Sequence, residues 1–208
     1  MTTSNGSSSC VVPIQLTLCS YIVDRMDKDC INKVRSSSTI TTSTHLNIAY
    51  EKPLHGLLIE IIGVLPNLYS LEIEKMARLE NNLLSSEAAQ MFSEVAMNNK
   101  IAKVKLHEMN EMQQIYFLLD LCSQMQYFEV DCKTENDVIN LVTFIIRNSV
   151  KHMQYLRCLC IFVPNLDEKL IETLKIIFDL ERPFHPEEIC KDYRIHRIEN
   201  KIFIDWKA

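Results

Sequence analysis

The sequence predicts an α/β fold in which short parallel strands alternate with amphipathic helices that cover one face of the sheet. Three observations carry this: one short apolar pattern recurs along the chain, the segments between its copies have helical period, and the last stretch alternates as a hairpin would. The pattern is apolar-x-x-apolar-x-apolar. It appears as Leu68, Leu71 and Ile73, as Ile101, Val104 and Leu106, as Met125, Phe128 and Val130, and as Leu156, Leu159 and Ile161. Weaker copies are Leu46 with Ile48, and Ile14, Leu16 and Leu18. The final two apolar positions of each copy have the period of two that marks a half-buried strand.

The intervening segments pass the i, i+3, i+4, i+7 test for a helix with one apolar stripe. Leu54, Leu57, Leu58, Ile61 and Leu65 follow Pro53, which suits a first helical turn; Ala88, Met91, Phe92 and Val95 follow Ser85 and Ser86. Met112, Ile115, Tyr116, Leu119 and Cys122 form a third stripe. Val138, Leu141, Val142 and Ile145 form a fourth, behind Thr134 and Asp137 at capping-box spacing. Leu170, Leu174, Ile177 and Phe178 form a fifth, between Asn165 and Pro183. Middle strand positions are irregularly spaced: Leu46 to Leu71 is 25, Leu71 to Val104 is 33, Val104 to Phe128 is 24 and Phe128 to Leu159 is 31. Strand, helix, strand at such intervals permits crossovers and a parallel sheet. Tyr193, Ile195 and Ile198, then Ile202, Ile204 and Trp206, alternate about Glu199-Asn200-Lys201 and predict a terminal hairpin capping the open edge.

Composition sets the outer limits. The chain has 208 residues, 47% hydrophobic and 24% charged, enough for one core, so residues 13–208 are expected to be a single domain behind a disordered polar tail, 1–12. A net charge of -5 gives no general pull toward phosphate or anionic membrane, so neither nucleic acid nor membrane is an expected partner. The longest apolar run, Leu54 to Leu65, is too short for a bilayer span and is interrupted by Glu60. Eight scattered cysteines, several inside apolar runs, favour a reducing compartment, and the expected location is cytoplasmic, alternatively nuclear. Three glycines, Gly6, Gly56 and Gly63, cannot build a phosphate-binding glycine loop.

No catalytic or metal constellation stands out. Cys158 and Cys160 offer two thiols on one strand face, but tetrahedral zinc needs two further ligands, and packing or simple surface thiols is the better reading. His45, His55, His107, His152, His185 and His196 are isolated, which suits surface or cap roles. His185 sits in a rigid Pro183-Phe184-His185-Pro186 turn, and Glu187 and Glu188 read as first-turn helix charges. The Ser36 to Thr44 run is a connecting loop that phosphorylation could reach. No cofactor is expected.

LPNLYSLEI, Leu65 to Ile73, resembles the leucine-rich repeat family, above all the irregular repeats that follow the F-box in F-box proteins; Cys122 to Val130 and Val150 to Ile161 resemble it more loosely. The resemblance covers roughly Leu46 to Phe162. It implies an irregular leucine-rich-repeat-like solenoid, a curved parallel sheet with helices on one face, and a protein-binding role such as substrate recognition in a ubiquitin-ligase receptor. The family's turn Asn or Cys is replaced here by Met76, Met109, Lys133 and Pro164, and no F-box motif is visible before the repeats in this sequence.

In such a stack the second set of strand side chains faces the open concave sheet. These are Asn47; Ser70, Glu72 and Glu74; Lys103, Lys105 and His107; Tyr127, Glu129 and Asp131; and Cys158, Cys160 and Phe162. Glu72, Lys105 and Glu129 alternate in sign and can neutralise one another across strands. Tyr127 and Phe162 are the expected anchors, as exposed aromatics beside mixed charge. The chain is therefore expected to be a non-catalytic module that binds a protein. The rival readings are a compact three-layer α/β enzyme with its site near Lys75, Glu108, Lys133 and Pro164 at the strand carboxyl ends, and a truncated repeat protein without independent function.

Overall fold

A computed structural model describes residues 14–19, 43–49, 55–76, 86–152, 155–181 and 193–206. The expected tail, most of the Ser36–Thr44 run, Pro53, Leu54 and the Pro183–Pro186 turn with Glu187 and Glu188 lie outside them. Among the described residues eight strands and five helices follow one another: β1 Gln15–Cys19, β2 His45–Ala49, α1 His55–Gly63, β3 Ser70–Ile73, α2 Ser86–Asn98, β4 Lys103–Leu106, α3 Met112–Leu121, β5 Tyr127–Asp131, α4 Glu135–His152, β6 Cys158–Phe162, α5 Glu168–Glu181, β7 Tyr193–Ile198 and β8 Lys201–Trp206. The protein is α/β, and its described strands form one mostly parallel sheet in the order β1-β2-β3-β4-β5-β6-β8-β7.

The recurring apolar pattern sets the register. Leu46, Leu71, Val104, Phe128 and Leu159 are successive partners across β2 to β6, and Ile48, Ile73, Leu106, Val130 and Ile161 form a second column two residues on. All ten are buried, because a shift of one residue would turn every one of them to the polar face. Leu68, Ile101, Met125 and Leu156, the first position of each copy, are buried as well. Beside them the entry to each strand repeats one hydrogen-bond motif. The carbonyls of Ile14, Thr44, Tyr69, Ala102 and Gln126 each accept two successive N–H groups from the next strand, at 2.8–3.2 Å.

Each helix packs on the next in sequence. In α4 the whole expected stripe, Val138, Leu141, Val142 and Ile145, is buried, and the capping box closes: Thr134 N donates to Asp137 Oδ2 at 3.0 Å and Asp137 N to Thr134 Oγ1 at 3.2 Å. Two stripes each lose one member. Met91 of α2 and Tyr116 of α3 are exposed, while Val95, Ile115, Leu119 and Cys122 are buried as expected and Phe117, Leu118 and Leu121 join them. The reason is that α3 carries apolar residues on more than half of its circumference and turns the denser side inward.

Two polar residues tie the helices to the sheet. Asn99 donates to the carbonyls of Val95 and Leu121, both at 2.7 Å, and accepts from Ile101 N at 3.2 Å. Gln114, fully buried, donates to the Met76 carbonyl at 3.0 Å and accepts from Asn110 N at 2.9 Å. The turn after β3 is thereby fixed by a glutamine from α3. At the far edge β8 runs antiparallel to β6, and β7 pairs outside it. The hairpin loop is Glu199 and Asn200 alone, since Lys201 already pairs with Ile198, and Glu199 has φ 53°. On the helix side Phe178 stacks on Tyr193 at 4.2 Å and meets Trp206 at 6.4 Å. Among the described residues no helix is long and apolar enough to cross a membrane.

Candidate binding face of the sheet

The helices and the buried columns share one core, so the alternate strand side chains lie on the sheet's other face, which no described helix covers. Cross-strand pairing sets them in rows. One runs Ser70, Lys103, Tyr127, Cys158, Asp205; the next runs Asn47, Glu72, Lys105, Glu129, Cys160, Phe203. Asp131, Phe162 and Lys201 are neighbours in a third. Glu74 and His107 follow their strands, anchored by N–H bonds to the carbonyls of Ile48 and Ile73 at 3.1 and 3.0 Å.

The charges in the middle of this face are engaged with one another. Lys105 Nζ lies 3.5 Å from Glu72 Oε1 and 3.7 Å from Glu129 Oε1. His107 Nε2 is 2.7 Å from Glu72 Oε1, and its Nδ1 is 3.5 Å from Asp131 Oδ2. Glu74 stands 3.9 Å from the same imidazole. Pairs this exposed contribute about 0–1 kcal/mol each. Glu129 differs, with a side chain only 12% exposed and three partners: Lys201 Nζ at 2.8 Å, the Tyr127 hydroxyl donating at 3.0 Å, and Lys105. Burial pushes its carboxyl up, but these partners outweigh it and hold the pKa below the usual range. Asp131 is shifted the other way, because burial outweighs the attraction of His107 and Lys105.

Three expected contact residues change status. Cys160 lies on this face yet is fully sealed, Glu129 is buried, and Tyr127 is only part-exposed. The cause is Lys201, whose ammonium reaches over β6 to Glu129 on β5, and the Tyr127 hydroxyl, which donates to the same carboxylate beside the Cys160 thiol. Tyr127 is thus held as part of a cover, its hydroxyl pushed up by burial with Cys160 and Glu129 adding to the shift. The Cys158 thiol is hydrogen-bonded to Asp205 and pushed up to about 12, by burial first. Among the described residues no three His, Cys, Asp or Glu side chains gather as a metal site.

The terminal hairpin, expected from the sequence only as an edge cap, also contributes side chains to this face. It brings Phe203 beside Cys160, stacks His196 on Phe203 at 5.1 Å, and carries Ile198, 56% exposed. With Phe162 these make an aromatic and aliphatic patch at the β6-β8-β7 end, bordered by Lys201, Asp205 and Arg194. The signal was present in the alternation of Lys201, Phe203 and Asp205 against Ile202, Ile204 and Trp206. Ser70, Lys103 and Asn47 stand apart from the patch; Lys103 Nζ lies 5.7 Å above the Tyr69 ring.

At the carboxyl ends of the strands, Lys75 and Lys133 both pair with Glu108, and Lys133 also donates to Asn110 Oδ1 at 3.0 Å. The hydrogen bond from Lys133 and then that from Lys75 hold the Glu108 carboxyl below its usual range. A carboxylate so stabilised is a weak base. Three of the four positions expected for an enzyme are therefore close together, satisfied by one another, while Pro164 is exposed beyond β6.

Comparison of the chain with protein-family models, with curated proteins and with solved structures finds no match in any of the three.

Proposed function

We propose that this chain is a non-catalytic interaction module, an irregular leucine-rich-repeat-like solenoid that recognises a protein with the uncovered face of its sheet. The observation that carries the reading is the division of that face: its central charges are mutually engaged, while Phe162, Phe203, His196 and Ile198 form a part-exposed patch at one end. Aromatic and aliphatic side chains ringed by charge are the composition of interface anchors. The repeated carbonyl motif at the strand entries supports the repeat reading. Substrate recognition in an F-box-type ubiquitin-ligase receptor, in the cytoplasm or nucleus, is the specific form the family resemblance suggests. Acids and bases are interleaved over the sheet face, which favours a protein over a nucleic acid, whose phosphates require an uninterrupted basic stripe.

The test is affinity purification of the tagged full chain from its native cell, comparing wild type, a Phe162→Ala/Phe203→Ala variant, and a Met97→Ser control on the exposed side of α2. Protein partners lost by the double variant and kept by the control, with far-UV dichroism unchanged, support the face. Partners kept by both variants would move the site elsewhere. Should none be captured, Lys75, Glu108 and Lys133 become the residues to test for an enzyme, since the strand ends bring them together.

A further inference from the structure

Cys160 presents a contradiction that its surroundings resolve. Its position in β6 points it to the uncovered face, between Glu129 and Phe203 in the register, yet it has no exposed surface. Its seal is made by side chains. Lys201 on β8 bonds to Glu129 on β5 at 2.8 Å across the intervening strand, and the Tyr127 hydroxyl closes on Glu129 at 3.0 Å. The neighbour of Cys160 on the same face, Cys158, is part-exposed and hydrogen-bonded to Asp205 of β8. Both thiols are thus guarded by the same hairpin strand.

We propose that the β7–β8 hairpin is a clasp on a thiol pair: docked, it seals Cys160 beneath Lys201, Glu129 and Tyr127, and lifted, it opens Cys160 to exchange with small disulfides, with Cys158 as the resolving thiol. In the docked state both thiols are pushed up by burial, Cys158 to about 12, so little thiolate exists to react. Lifting β8 removes that burial together with Asp205. The Cys160 thiolate then attacks one sulfur of a small disulfide; a new S–S bond forms as the old one breaks, and the departing small thiolate takes up the proton Cys160 released. Cys158 thiolate next attacks the Cys160 sulfur and displaces the second small thiol. Two protein thiols are oxidised and one small disulfide is reduced to two thiols. Same-face strand neighbours are about 6.6 Å apart at Cα, near the long limit for a disulfide, about 6.8 Å. The bridge therefore needs β6, paired to β5 on one side and to β8 on the other, to relax locally once the β8 partner is gone. A clasp of this kind would couple the redox state of the chain to the position of the hairpin that carries Phe203 and His196.

The test is timed alkylation of the folded full chain with N-ethylmaleimide, read cysteine by cysteine by peptide mass spectrometry, for wild type, Lys201→Met and Lys201→Arg. Lys201→Met should raise the Cys160 rate by about tenfold, the factor that about 1.4 kcal/mol represents. Cys122 and Cys132, buried in the core on the helix side of the sheet, should not change, and Lys201→Arg, which keeps the pair, should label as wild type does. With oxidised glutathione, Lys201→Met should lose two hydrogens between Cys158 and Cys160, and adding Cys158→Ser should stop the reaction at a glutathione adduct on Cys160. An unchanged Cys160 rate in Lys201→Met overturns the proposal. Cys160 labelling only in step with Cys122 and Cys132 would mean that Lys201→Met unfolds the chain globally, and Tyr127→Phe, a milder loosening of the cover, then decides: failure of that variant to accelerate Cys160 alone also overturns the proposal.

Discussion

Asn98 and Asn99 stand side by side at the end of α2, and replacing each with alanine should have very different consequences. Asn99 is buried, and its amide donates to the Leu121 carbonyl at the end of α3 while its oxygen accepts from Ile101 N at the entry to β4. Leu121 is among the last four residues of α3, whose carbonyls have no partner within the helix. Asn99→Ala leaves that carbonyl and the Ile101 N–H buried without partners. The Val95 carbonyl stays satisfied, because it also accepts from Asn99 N at 2.9 Å. Two orphaned groups at about 1–3 kcal/mol each place the loss at about 2–6 kcal/mol. For a chain of this size that lowers Tm by roughly 4–24 °C. Asn98 donates to the Glu94 carbonyl at 2.8 Å in solvent, where water replaces it, so Asn98→Ala should stay within about 0.5 kcal/mol. Urea unfolding followed by circular dichroism measures both, with equal m-values as the condition for comparing them. A loss below about 1 kcal/mol for Asn99→Ala, or similar losses for both variants, would show that Asn99 does not join α2, α3 and β4 as described.

Perturbations at four more positions address other parts of the fold. His55 lies buried against Phe117 at 4.6 Å, and burial lowers its pKa from 6.5, so folding favours the neutral ring; the stability it contributes is complete above pH 6.5 and falls as pH drops below that. Unfolding free energy measured from pH 7.5 to 5 should therefore decline more steeply for wild type than for His55→Phe, and parallel slopes would refute the assignment. Leu71→Asp, at a site with no exposed surface in the central column, should abolish cooperative unfolding because it buries an unpaired charge; Tyr127→Phe should cost only about 1 kcal/mol, for the hydroxyl bond to Glu129. Glu199 has φ 53°, where a side chain is strained and glycine is not, so Glu199→Gly should leave stability unchanged or raise it by up to about 1 kcal/mol, whereas Glu199→Val should lower it, by thermal melt.

What the chain determines by itself is the arithmetic of its strands. The spacing of Leu68, Leu71 and Ile73, repeated at Ile101, Met125 and Leu156, specifies which side chains point inward, and burial of one face leaves a single usable register. The capping box of Thr134 and Asp137 was equally legible, because its partners lie three residues apart. Periodicity names a face but not what lies over it. That Cys160 is sealed depends on Lys201, and the contact of Lys201 with Glu129 joins residues 72 positions apart. Gln114 and Asn99 read as ordinary polar positions until their bonds to Met76, 38 positions away, and to Leu121, 22 away, show them buried. The same holds for Tyr116, which fits an apolar stripe by count but lost the inward side to Phe117, Leu118 and Leu121. Local pattern is set by bonds and rotamers within a few residues, whereas the cover over a thiol, or the partner of a buried amide, is settled only when distant segments come together and every polar group they bury must find a partner.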